Sequence, residues 1–140
     1  MSLNYLFVID RLENGGAERQ MLKIANYMST GNVIFVTSLH TPSSHILRLI
    51  EDYGFFYLSI AVSSGDSFLS RVFGAFKLFK SLRYIIKQHK IHRCISFLEW
   101  SNLLSILAAN REGIPVYTNI RNYLSSQYGS RGFLVLKTAK

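Results

Sequence analysis

Short apolar runs alternate with stretches of helical spacing along this chain, and that alternation limits the fold more than any other feature. NYLFVI (Asn4–Ile9) has no room for a helix and is almost unbrokenly apolar, as a strand covered on both faces must be. AERQMLKIANYM follows, with Met21, Leu22, Ala25 and Met28 at helical spacing and Gly31 to stop it. NVIFVTS is a second strand, and SSHILRLIEDY is a short helix that Ser43 or Ser44 can cap and Gly54 ends. FFYLSI gives a third strand, and a long helical pattern runs from about Ser67 to His89. RCISF, the helix SNLLSILAANRE with its stop at Gly113, and IPVYTNI complete the series, and RGFLVLKTAK begins another helical pattern. Strands joined to strands through helices over short connections imply a parallel sheet with helices on both faces. The expected fold is one doubly wound, Rossmann-like α/β domain of about five strands over residues 1–140.

Such sheets bind ligands beyond the carboxyl ends of their strands. Five loops are therefore candidates: Asp10–Gly16, Ser38–Ser44, Ala61–Asp66, Leu98–Ser101 and Arg121–Tyr128. A hydrophobic share of 49% against 17% charged excludes a disordered chain. The single cysteine, Cys94, excludes a disulfide framework and fits a reducing compartment. MSLNYLFVID lacks the basic start and cleavage site of a secretory signal, and no run approaches the roughly 18 apolar residues of a membrane span. A cytoplasmic protein is expected. His40, His45, His89 and His92 show no metal-site spacing, so no metal is expected.

The loop ENGGAER, between the first strand and the first helix, carries the sharpest signal. It fails the dinucleotide fingerprint G-x-G-x-x-G, and the second strand ends in TSLH without the acid that fingerprint needs. It also lacks the lysine and hydroxyl of a phosphate loop, and no G-x-S-x-G elbow occurs in the chain. Two glycines opening onto a helix N-terminus suit close approach of an anionic or strongly hydrogen-bonding ligand to the backbone. A tight turn with no ligand is the competing reading.

FVIDRLENGGAERQMLKIANYM, together with ISFLEWSNLLSILAANREGIPVYTNIRN, resembles the N-terminal half of a GT-B fold glycosyltransferase. The nearest group is the retaining family 4 enzymes, whose first loop commonly reads G-G-A-E-R. The resemblance implies a transferase moving a sugar from a nucleotide-sugar donor to a glycan or lipid-linked acceptor, in cell-surface polysaccharide biosynthesis. The donor is a substrate, and no cofactor is implied. Gly15 and Gly16 would face the donor, and Glu18 or Arg19 would touch donor or acceptor; dipole stabilisation and plain solvation are the bland alternatives. Glu99, after the fourth strand, is either a contact to acceptor hydroxyls or a helix cap. Arg121 and Asn122 stand where relatives carry residues near the reacting sugar, some with a histidine that NIRN lacks. No catalytic residue is assigned. The chain ends inside a helical pattern, so a front part of something longer is expected, with the C-terminal donor-binding domain absent and the fragment inactive alone. The alternative is a non-catalytic membrane-docking or acceptor-binding subunit that pairs with a separate donor-binding chain.

The net charge of +8 is concentrated. No Asp or Glu falls between Ser67 and Leu98, whereas Arg71, Lys77, Lys80, Arg83, Lys87, Lys90 and Arg93 do. At about 100° per residue, Phe68, Ala75, Phe79, Leu82 and Ile86 share one face and are expected to pack on the sheet. Leu69, Phe73 and Phe76 lie among Lys80, Arg83 and Lys87, the mixture of an interfacial helix. Peripheral attachment to an anionic leaflet is the expectation, against cover by a missing part of the protein or by the Ala61–Asp66 loop. Nucleic acid is not expected as a partner, because no recognised binding motif accompanies the charge.

Overall fold

The computed structural model of the chain describes residues 1–60 and 67–119. The elements are β1 (Asn4–Ile9), α1 (Gly16–Met28), β2 (Val33–Ser38), α2 (Ser44–Asp52), β3 (Phe56–Tyr57), α3 (Phe68–Gln88), β4 (Arg93–Phe97), α4 (Glu99–Glu112) and β5 (Val116–Asn119). The five strands form one sheet in the order β3-β2-β1-β4-β5. Every pairing is parallel, with Tyr5 beside Ile34 on one side and Arg93 on the other. This is a doubly wound, Rossmann-like sheet.

The unbroken apolar strands have the use their pattern implied. Along β1, Leu6 and Val8 point into a core with Leu82, Ile86, Leu104 and Ala108 of α3 and α4. Tyr5, Phe7 and Ile9 point the other way, into a core with Met21, Leu22, Ile46 and Ile50 of α1 and α2. Period-2 alternation thus feeds two apolar layers from one strand. Cys94 is fully buried in the first layer, and loss of hydration pushes its thiol up to about 12. α4 ends because Gly113 adopts the left-handed conformation, φ 72°, that favours glycine.

Two expectations are corrected. The third strand is two residues long, where FFYLSI suggested six. Phe55 gives its N–H to Ile50 O at the end of α2, and the Leu58 carbonyl is taken by Thr37 Oγ1 at 2.5 Å, so the ladder closes at both ends. Phe68, expected on the sheet, is exposed. The inward face of α3 reaches the core only from Leu78 and Phe79 onwards, with Leu82, Ile85 and Ile86 fully inside. The first turns overhang the carboxyl edge of the sheet.

Candidate functional site at the carboxyl edge of the sheet

The strand order reverses between β1 and β4, so the crevice between their carboxyl ends is the natural ligand position in this topology. Asp10 leaves β1 at that point. Its Oδ1 accepts the Ser101 backbone N–H at 2.7 Å and the Ser101 hydroxyl at 2.5 Å. Ser101 lies in the first turn of α4, whose own N-cap, Leu98, supplies no side-chain bond. The carboxylate therefore caps a helix 91 residues away, where the positive dipole end favours an anion. Behind it, Ser96 Oγ donates to Asn102 Oδ1 at 2.7 Å and Asn102 Nδ2 donates to the Asn119 carbonyl at 3.2 Å. Leu98 has φ 75° and ψ 164°, a region almost reserved for glycine, and the rigid frame of Asp10, Ser101 and Asn102 holds it there.

The glycine loop borders the same edge. Gly15 caps α1 in an extended conformation, φ −103° and ψ 177°, so no left-handed backbone demands a glycine. What Gly15 accommodates is the chain's own Glu18, whose Oε2 would stand 2.4 Å from an added Cβ. Glu18 is buried. Among the described residues Gly16 has nothing within 4 Å of such a Cβ. The two glycines thus differ in kind: one fits a side chain of the protein, the other leaves the helix end accessible. Arg19 is held at the loop by a bond from its guanidinium to Asn14 Oδ1, 3.1 Å. Glu99 is exposed beside the crevice and makes no capping hydrogen bond among the described residues, where Asp10 caps Ser101 instead. Arg121, Asn122 and the loops Ala61–Asp66 and Arg121–Tyr128 lie outside the described residues.

Two features escaped sequence reasoning. One is the Asp10–Ser101 link, which spans too many residues to show in any local pattern. The other is a cleft of about 340 Å³ beside Asp10, bounded by His40, Arg71, Gly74, Leu78 and Trp100. A wider depression of about 520 Å³ lies on the flank of β3 and the second half of α3, lined by Tyr57, Lys80 and Tyr84 among others. It lacks the helix N-termini that converge at the crevice.

On α3, Leu69, Phe73 and Phe76 are all more than half exposed. Lys80 places its ammonium 4.8 Å from the Phe76 ring centre. Arg83 and Lys87 turn instead to α4: Arg83 Nε donates to Glu112 Oε1 at 2.5 Å, and Lys87 Nζ lies 3.5 Å from Oε2. The Arg83 hydrogen bond holds the Glu112 carboxyl below the usual carboxylate range. Among the described residues no helix is long and apolar enough to cross a membrane, and no three His, Cys, Asp or Glu side chains are grouped as a metal site.

No family model matches the chain. It is 28% identical over 102 residues to the GalNAc-α-(1→4)-GalNAc-α-(1→3)-diNAcBac-PP-undecaprenol α-1,4-N-acetyl-D-galactosaminyltransferase of Campylobacter jejuni. The match covers 73% of this chain and 28% of that protein, so the chain spans under a third of its relative. Among solved structures, Acinetobacter baumannii MurG superposes with a TM-score of 0.67 over 89% of this chain and 38% of its own, at 19% identity. A glycosyltransferase from Rickettsia africae gives 0.64 over 92% and 34%, at 20% identity. The fold is that of GT-B glycosyltransferases. The GT-B likeness describes architecture, since a deacetylase of teicoplanin biosynthesis superposes at 0.66 with 9% identity over 94% of this chain and 75% of its own. In this GT-B-like unit the open Gly16, the exposed Glu99 and the Asp10–Ser101 clasp lie around one end of the sheet.

Proposed function

We infer that residues 1–140 form the N-terminal, acceptor-side half of a retaining family 4 glycosyltransferase. Its reaction moves a sugar from a nucleotide-sugar donor to a hydroxyl of a glycan or lipid-linked acceptor, in the building of cell-surface polysaccharide. The observation that carries this reading is Gly16 in the first turn of α1: among the described residues nothing lies within 4 Å of where its Cβ would stand, although the Glu18 carboxylate packs against Gly15 beside it. Free backbone N–H groups and a positive dipole end suit phosphate and sugar oxygens. The name of the Campylobacter relative, which acts on an undecaprenol-linked saccharide, supports the acceptor class. The proposed role of Glu99 is to accept hydrogen bonds from acceptor hydroxyls, and Arg121 and Asn122 are assigned to the cleft by resemblance. Donor binding belongs mainly to a second domain, so this segment alone turns over no nucleotide sugar. The chain works at the cytoplasmic face of the membrane, docked through Leu69, Phe73, Phe76 and Lys80. A basic residue near an anionic leaflet contributes about 1 kcal/mol.

Gly16→Leu in the full-length protein tests the central point. The Cβ of the added side chain meets nothing within 4 Å among the described residues, so the melting temperature is expected to hold while sugar transfer falls at least tenfold; transfer at the wild-type rate would overturn the reading. Phe73→Ser/Phe76→Ser should reduce co-sedimentation with anionic vesicles, and equal binding to neutral vesicles refutes the docking surface. The exposed aromatic strip also favours a second reading, a non-catalytic docking subunit, which transfer by the single full-length polypeptide excludes.

A further inference from the structure

The cleft beside Asp10 holds polar groups that the fold itself does not use. Among the described residues the Arg71 guanidinium has no hydrogen bond or ion pair, and the same is true of the His40 ring and the Trp100 indole N–H. Asp10 commits Oδ1 to Ser101 and leaves Oδ2 without a hydrogen bond among these residues. The floor is apolar, and Gly74 removes any side chain between cleft and helix backbone. About 340 Å³ falls within the range of roughly 300–1,000 Å³ typical of small-molecule sites.

Each free group selects a partner. An unpaired guanidinium is a planar fork of donors that matches two oxygens of a phosphate or carboxylate, and His40 adds a second donor. The Trp100 ring, 62% exposed, offers an apolar face of the size of a sugar ring. Asp10 Oδ2 accepts a hydroxyl, while the α4 N-terminus offsets its charge and lessens repulsion of a nearby anion. The helix that lines the cleft has a second use. Arg71, Gly74, Ala75 and Leu78 form one stripe, and Leu69, Val72, Phe73 and Phe76 form another at the same spacing. The two are offset by two residues, about 200°, so the same turns line the cleft on one side and present an exposed apolar face on the other.

We propose that this cleft seats the phosphorylated saccharide end of a lipid-linked acceptor, with phosphate on Arg71 and His40, the sugar ring on Trp100, and the lipid running to the outer face of α3. The acceptor role rests on the glycosyltransferase reading, whereas binding stands or falls separately. Trp100 is the sole tryptophan, so its fluorescence reports the cleft directly. The chain is titrated with farnesyl-diphosphate-linked N-acetylglucosamine, UDP-N-acetylglucosamine and unphosphorylated octyl N-acetylglucosaminide. The first should shift Trp100 emission saturably, and the last should not. Arg71→Gln should weaken the first by about 10- to 100-fold, the scale of a lost charge-assisted bond, and Arg48→Gln on α2 should titrate as wild type. Equal affinity for the unphosphorylated glycoside, or an unaltered Arg71→Gln titration, overturns the site. Saturation by the UDP-sugar alone overturns the acceptor assignment and gives the phosphate to the donor. Intact cleft binding in a full-length protein that transfers no sugar would sink the glycosyltransferase reading instead.

Discussion

Removing the Asp10 carboxylate tests how the carboxyl edge is held together. Asp10→Ala deletes two hydrogen bonds to Ser101, one to its N–H and one to its hydroxyl, both to a charged acceptor. Ser101 is fully buried, so water cannot replace the lost acceptor without opening the crevice. Bonds to charged groups contribute about 1.5–3 kcal/mol each and a lost helix cap costs about 0.5–2 kcal/mol, but the terms overlap because one oxygen serves both. The expected loss is about 2–4 kcal/mol, with Asp10→Asn, which keeps an acceptor but no charge, costing about half as much. Urea unfolding followed by far-UV circular dichroism measures it, with the slope unchanged. A double-mutant cycle with Ser101→Ala separates the hydroxyl bond and should give a coupling of about 1–2 kcal/mol. An Asp10→Ala loss below about 0.5 kcal/mol, or no coupling to Ser101→Ala, would refute the view that this carboxylate clasps β1 to α4.

Three further outcomes follow from the same geometry. Leu98 sits at φ 75° and ψ 164°, a strain of about 1–3 kcal/mol for a non-glycine residue. Leu98→Gly should therefore unfold at a higher urea midpoint than Leu98→Ala, the reverse of the usual order, and an alanine variant that is the more stable would contradict this. Gly15→Ala places a Cβ 2.4 Å from Glu18 Oε2 and should cost about 1–2 kcal/mol, a cost expected to vanish beside Glu18→Ala. Gly16→Ala, by contrast, should be neutral or slightly stabilising, and thermal melts of the four variants decide. Glu112 has its folded-state pKa lowered by Arg83, so the contribution is present above the ordinary glutamate value of about 4.3 and is lost as pH falls through the lower folded value. Acid titration of Arg83→Gln should lack that loss, and superposable stability curves for variant and wild type would exclude the pair as its source.

The sheet, the order of its elements and the position of its ligand edge were legible in the chain, because short apolar runs, glycine stops and helical periodicity are local signals. β4 and the start of β1 lie where the runs placed them. The length of β3 was not legible. It depended on Ile50 and Thr37 taking the hydrogen bonds that would have extended it. The overhang of α3 was likewise invisible, since periodicity assigns a face to Phe68 without saying whether the sheet reaches that far. At the site, sequence marked Gly15 and Gly16 together, and only packing separated them: Glu18 lies against the first and nothing against the second. Asp10 could be placed in a suspect loop from sequence, yet its capping of α4 required the fold to bring together residues 91 positions apart. The same holds for Arg71, His40 and Trp100, which come from three separate segments and meet only because α3 and α4 cover one face of the sheet. Sequence thus determines what each segment can become, through propensities that act over a few residues. Which side chains share a cleft, and which are left free to meet a ligand, is decided by contacts between segments that no local pattern encodes.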